Sequence, residues 1–361
     1  MLDIFKPEDW QRIREEYEEW WSGDRVKPIL HLSFFDNDPG MKKPEGIITS
    51  NLYEYPDDEP AEQIAEKLEY IMRSQKYEFQ GYPHIWMYFG PMYSVEFIGC
   101  RPTIGETTVW FSPEKKVPPS QLKIQKDPNS VFLPREIAIR KAIEKRFGGG
   151  YVISGGCGVQ GSALDVVAEF YGHMDLTYML YDEPEEVFRL MNEAIEASSK
   201  ISEELHALTP NAVGYTSWGG LYAPVPWASA QCDYSAMIGP NIFDEFSLPD
   251  LKECYKRSPK YNYYHLDGPG EIIHMDKILA IPELRCMQWV AAPHGDVSLD
   301  LDVYERIHKA GKNMWVTGPI ERAIQVAERN GTTQGIYWYG AYPMSEYDRV
   351  MKIADDLMNG K

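Results

Sequence analysis

Residues 261–270, YNYYHLDGPG, decide how this chain is read. Aromatic and apolar residues crowd the first six positions and a Gly-Pro-Gly turn stops them, as in a short buried strand. Seven further runs have the same character: PILHLSFF (28–35), HIWMYFG (84–90), GYVISGG (150–156), AVGYTSWG (212–219), LRCMQWV (284–290), NMWVTGP (313–319) and GIYWYGA (335–341). Between them lie segments with apolar residues at helical spacing, such as AEQIAEKLEYIMRSQ (61–75), EPEEVFRLMNEAIEASSKISEELHAL (183–208) and IERAIQVAERNG (320–331). Strand and helix alternating eight times predict an α/β fold, a (β/α)8 TIM barrel.

No linker, repeat or low-complexity tract divides the chain, so residues 1–361 are expected to form one domain. Residues 91–149, with ETTVWFSPE and several prolines, break the alternation after the second strand. They read as an insertion that caps the barrel mouth. A hydrophobic content of 43% supplies a large core. The net charge of −19 argues against nucleic acid as a partner, because phosphates would be repelled. No apolar run is long enough to span a membrane, and the N-terminal residues read as an amphipathic helix rather than a signal peptide. A cytoplasmic location is expected. The five cysteines are scattered without a CxxC pair, which predicts neither a disulfide framework nor an all-cysteine zinc site.

In barrels of this kind, reactive groups sit where strands end. His265 and Asp267 end the fifth run, two residues apart, and such positions share one face of a strand. Together they suit a zinc site or an acid–base pair. A simpler arrangement has Asp267 capping the turn and His265 hydrogen-bonded in the core. Asp233, after the fourth run, is a candidate third ligand or substrate anchor, or an N-cap. Trp218, Tyr222, Trp289 and Tyr339 lie at or near strand ends and are expected to wall an apolar pocket with His294. The glycine-rich SGGCGVQGSALDV (154–166) has neither the Walker pattern nor GxGxxG spacing, so it reads as a tight turn.

Several ordered segments resemble the uroporphyrinogen decarboxylase superfamily: MDLTYMLYDEPEEVFRLMNEA (174–194), QCDYSAMIGPNIFDEFSLPDL (231–251) and YYHLDGPGEIIHMDKILAIPELRCMQWV (263–290). FGPMYSVEFIGC (89–100) with TTVWF (107–111) is similar to its methyltransferase-like branch. True decarboxylases of the family carry an Arg-rich motif after the first strand and Gly-His-Gly near the last. This chain has ILHLSFFDNDPG and YGAYP there. Members that act on coenzyme M hold zinc with His-x-Cys and a later Cys, where this chain has His265-x-Asp267 and Tyr339.

The resemblance therefore implies a methyltransferase that moves a methyl group from a small O- or N-methyl compound to a corrinoid on a partner protein. Zn2+ would be held by His265, Asp267 and Asp233. Two alternatives are a metal-free lyase or decarboxylase acting on a small carboxylated substrate, and a non-catalytic barrel that binds a small ligand.

Overall fold

The computed structural model describes residues 1–155, 162–291 and 295–360. Its twelve described strands are β1 (Ile29–Phe35), β2 (Lys76–Phe79), β3 (His84–Ile85), β4 (Cys100–Ile104), β5 (Val109–Pro113), β6 (Val152–Ser154), β7 (Gly214–Thr216), β8 (Ala228–Gln231), β9 (Asn262–Asp267), β10 (Cys286–Val290), β11 (Asn313–Val316) and β12 (Ile336–Pro343). The fold is mixed α/β. One sheet runs β2-β1-β12-β11-β10-β9-β8 and is parallel except at β2, and a second parallel sheet runs β3-β6-β7.

The eight runs read from the sequence all carry strands, and β8 is an added parallel strand between the fourth and fifth runs, but the parallel strands form two separate sheets. Among the described residues no ladder joins β1 to β3 or β7 to β8. At the first break β2 occupies the free edge of β1 in antiparallel sense. Gln80 then finishes the edge: its backbone N–H donates to the Leu30 carbonyl, and its side-chain oxygen accepts from Leu30 N, both at 3.0 Å. Near the second, Trp227 N, just before β8, donates to Gly155 O, just after β6, at 3.2 Å. Within 91–149 lie the antiparallel hairpin β4–β5 and a helix, Phe132–Phe147, that packs on helix Ala61–Arg73.

The period-2 alternation of the strands separates two cores. On β9, Tyr264 and Leu266 face the helices and join the larger core, while Tyr263 faces inward. β10 and β12 behave alike: Met287, Trp289 and Trp338 pack outward, and Cys286 and Tyr337 inward. The inner core is closed at the strands' N-terminal end by helix Pro7–Ser22, which starts on a proline and stops at Gly23 in the left-handed conformation (φ 84°). Its two tryptophans are seated by hydrogen bonds. Trp20 Nε1 donates to Ile336 O at 3.2 Å, Trp21 Nε1 to Tyr222 O at 2.7 Å, and Asn313 Nδ2 to Trp20 O at 2.7 Å. No described helix is long and apolar enough to cross a membrane.

Trp21→Ala should therefore destabilise the fold by about 3–5 kcal/mol, since it opens a cavity and orphans the Tyr222 carbonyl. Denaturant unfolding followed by circular dichroism measures this. A cost below about 1 kcal/mol would mean the helix is not part of the core.

Candidate metal centre at the strand ends

Three parallel strands place a row of polar side chains on the inner face. In the ladder register Gln231 of β8, His265 of β9 and Gln288 of β10 are neighbours. One step further toward the C-terminal ends, Asp267 lies on the same face as His265, and the chain leaving β8 brings in Asp233. Ligand atoms of Asp233, His265 and Asp267 lie within 4.8 Å of one another. The structure thus brings together the three residues expected to form the site.

Each is held by residues the sequence reading did not single out. His265 Nδ1 lies 2.6 Å from Gln288 Oε1, so this nitrogen carries the proton and Nε2 keeps its lone pair. Burial lowers the His265 pKa, against the opposing effects of the Gln288 hydrogen bond and the Asp267 charge. The ring is therefore neutral at neutral pH. Trp218 meets it edge-on, with ring centroids 5.7 Å apart.

Asp233 receives a hydrogen bond from Gln231 Nε2 at 2.9 Å. Its loop is gripped by buried Asp165, which accepts from Tyr234 N at 2.9 Å and Asp233 N at 3.3 Å. Asp165 also forms a capping box with Ser162 at the start of helix Ala163–Tyr171. Glu271, fully buried, accepts from Asp267 N at 3.2 Å and from the Tyr264 hydroxyl at 3.0 Å.

So many carboxyl groups in one place cannot all ionise. Burial first, then the charges of Asp165 and Asp267, push Asp233 up to about 7. Burial and the Asp233 charge push Glu271 up to about 9, and burial with Asp165 takes Glu169 to about 7. Such a cluster binds protons or a cation. One imidazole nitrogen and two carboxylates form a donor set for a divalent metal of the zinc class, and the chemistry of these donors fits it. Cys232 is turned outward into the core near Ser247 (Sγ to Oγ 3.4 Å), and burial raises its thiol pKa well above normal, so it supplies no thiolate here.

The remaining candidates are dispersed. Trp289 faces the helices and donates from Nε1 to Asp300 at 2.8 Å, because it sits one residue out of phase with Gln288. Tyr222 is buried at the floor beside Trp21 and Tyr17, its hydroxyl bonded to Val213 O at 2.9 Å. Tyr339 lies on the inner face with its ring centroid 5.0 Å from that of His31. His294, and residues 156–161 of the glycine-rich turn, lie outside the described residues.

In shape the chain is similar to the solved structure of a methyltransferase from Methanosarcina mazei, with a TM-score of 0.58 at 11% identity over 96% of this chain and 98% of that one. That likeness is one of fold. No family model matches the sequence and no curated protein does.

Glu271 gives a pH test of the site's supports. Its folded pKa of about 9 stands above the ordinary 4.5, so its contribution to stability is full below about pH 4.5 and declines as pH rises toward 9. Glu271→Gln cannot titrate, and its melting temperature should fall less than the wild type's between about pH 5 and about pH 8. Glu271→Ala loses both hydrogen bonds and should cost about 1–3 kcal/mol at about pH 5, with the cost shrinking as pH rises toward 9. Parallel melting profiles for wild type and Glu271→Gln would refute a protonated Glu271.

Proposed function

We propose that this protein is a methyltransferase built on a (β/α)8 barrel, with the two parallel sheets as arcs of the one ring. In this reading it moves a methyl group from a small O- or N-methyl compound to a corrinoid carried by a partner protein. The observation that carries the proposal is the Asp233–His265–Asp267 cluster at the strand ends, with the histidine's Nε2 lone pair free. The fold likeness to a methyltransferase from Methanosarcina mazei supports it, as do the ordered segments similar to the methyltransferase-like branch of the uroporphyrinogen decarboxylase superfamily.

Asp233, His265 and Asp267 would hold Zn2+, which when bound acts as a Lewis acid on the heteroatom that bears the methyl group. Oxygen and nitrogen ligands without sulfur suit an ether oxygen or an amine rather than a thiol. The chain's own residues do the rest. Gln288 orients the imidazole, Glu271 and Asp165 hold the two carboxylates on their loops, and the Trp218 ring packs against the imidazole at right angles. In the transfer the carbon–heteroatom bond breaks with its electron pair left on the heteroatom. The pair that makes the new bond to the methyl carbon comes from Co(I), and the heteroatom then takes up a proton.

The test is appearance of the methylcobalamin spectrum when zinc-loaded protein is mixed with Co(I) cobalamin and a panel of methyl ethers and methylamines. His265→Ala should lower the rate about 100-fold or more, and Gln288→Leu should weaken zinc binding about 10–100-fold in chelator competition. Undiminished transfer by His265→Ala would overturn the reading.

A further inference from the structure

A cavity of about 140 Å3 leads from the inner face of the strands, at Trp218 and Gln231, to helices Phe132–Phe147 and Pro184–His206. Serine hydroxyls reach it from several sides: Ser154 from β6, Ser198 and Ser202 from helix Pro184–His206, and Ser229 from β8. Two of these positions run against the pattern that fills a core. Helix Pro184–His206 buries Leu190, Met191, Ala194 and Ile201 along one stripe, and Ser198 lies buried on the same stripe where an aliphatic side chain would close the space. On β8, Ala228 and Ala230 join the outer core, so the inward positions fall to Ser229 and Gln231. Ser154 and Ser229 are only half-buried although both sit on interior strands. Ser154 Oγ accepts from Met87 N at 2.7 Å, which leaves its hydrogen to donate. Ser229 meets the Tyr263 hydroxyl, and because a hydroxyl both donates and accepts it retains capacity for a further partner.

The charge of the wall narrows the ligand class. Among the described residues that line the cavity, Glu136 and Arg140 are charged, and they are committed to each other at 2.8 Å, with the Tyr93 hydroxyl also on Glu136. His206 beside them is neutral, since burial and then Arg140 lower its pKa to about 4. An anion would leave water for a wall with no net charge and face the carboxylates around Asp233. A cation would be held at those carboxylates and meet Arg140 deeper in. A purely apolar molecule would strip water from the hydroxyls and return no hydrogen bond. A neutral polyol satisfies all of these conditions, with its hydroxyls on the serines and its C–H faces on Tyr93 and on Trp86, which is held by a stacked Tyr88 at 4.0 Å between centroids. Since an apolar cavity of about 150 Å3 holds benzene, about six non-hydrogen atoms fill this one.

We propose that this cavity is a binding site for a small neutral polyol of the size of glycerol. Gln231 lines it and donates to Asp233 at 2.9 Å, and Trp218 at the same end packs against His265. Resting on the methyl-transfer reading, this makes the methyl donor a methyl ether of such a polyol, its hydroxyls in the cavity and its methylated oxygen toward the metal cluster. The polyol site itself does not depend on that reading.

Isothermal titration of chelator-treated protein with glycerol, glycerate, serinol and pentanol tests the site with no metal present. Failure of the metal site therefore cannot be mistaken for failure of the cavity. The four probes are similar in size and differ in charge and hydroxyl content. Glycerol should saturate the protein in the millimolar range and bind at least about tenfold more tightly than each of the others. Ser198→Ala/Ser229→Ala, which removes two hydroxyls from the wall, should weaken glycerol about tenfold and leave pentanol no weaker. Ile201→Trp, which fills the cavity, should abolish glycerol binding. Glycerate, serinol or pentanol binding as tightly as glycerol, no saturation by glycerol in the millimolar range, or full glycerol affinity in whichever variant folds would each overturn the proposal.

Discussion

The site hangs on one buried carboxylate. Asp165 closes the capping box of the helix that follows β6 and also receives the backbone N–H groups of Asp233 and Tyr234 after β8. It therefore ties the two parallel sheets together across a break that no strand ladder spans. Asp250 reinforces the tie by accepting from Ala163 N at 3.0 Å. The cost of the arrangement is electrostatic. A buried anion beside Asp233, with Asp267 also near, leaves Asp233 half-titrated near neutrality. A divalent cation would relieve that repulsion, so the support that shapes the loop also makes the site want a metal.

Strand alternation determines which side chains can take part. The residues that meet at the site, Gln231, His265 and Gln288, are register neighbours on one face, and the adjacent positions feed the outer core. Trp315 continues the row, and Trp218 lies over it with centroids 4.9 Å apart. A side chain at Gly219 would run into the Trp315 ring, which is why the loop after β7 needs glycine to come this close.

Much of this was legible in residues 261–270. The strand that ends in His265-x-Asp267, and its place at a C-terminal end, follow from hydrophobic run length and the turn that stops it. The parallel strands other than β8 follow from the alternation of periods, whereas ASAQ (228–231) is too short and too polar to read as a buried run. Trp289 shows where such reading stops. LRCMQWV reads as one buried run, yet its phase is set by pairing with β9, and that sends Gln288 to the site and Trp289 to Asp300. The polar residue inside the run was the available signal. Asp165 and Glu271 work through backbone N–H groups distant or offset in sequence, and only folding brings those together. The antiparallel β2 and the substitution of Gln80 for a ladder partner were likewise invisible, because KYEF (76–79) is short and only partly buried.

In the proposed site Asp233, His265 and Asp267 would hold a divalent metal through nitrogen and oxygen alone. X-ray absorption at the zinc edge on the zinc-loaded protein tests it directly. One tightly bound zinc is expected, with a nitrogen and oxygen shell at about 2.0–2.2 Å and no sulfur scatterer, and with the imidazole signal lost in His265→Ala. A shell near 2.3 Å from sulfur, or an imidazole signal that survives the substitution, would contradict it.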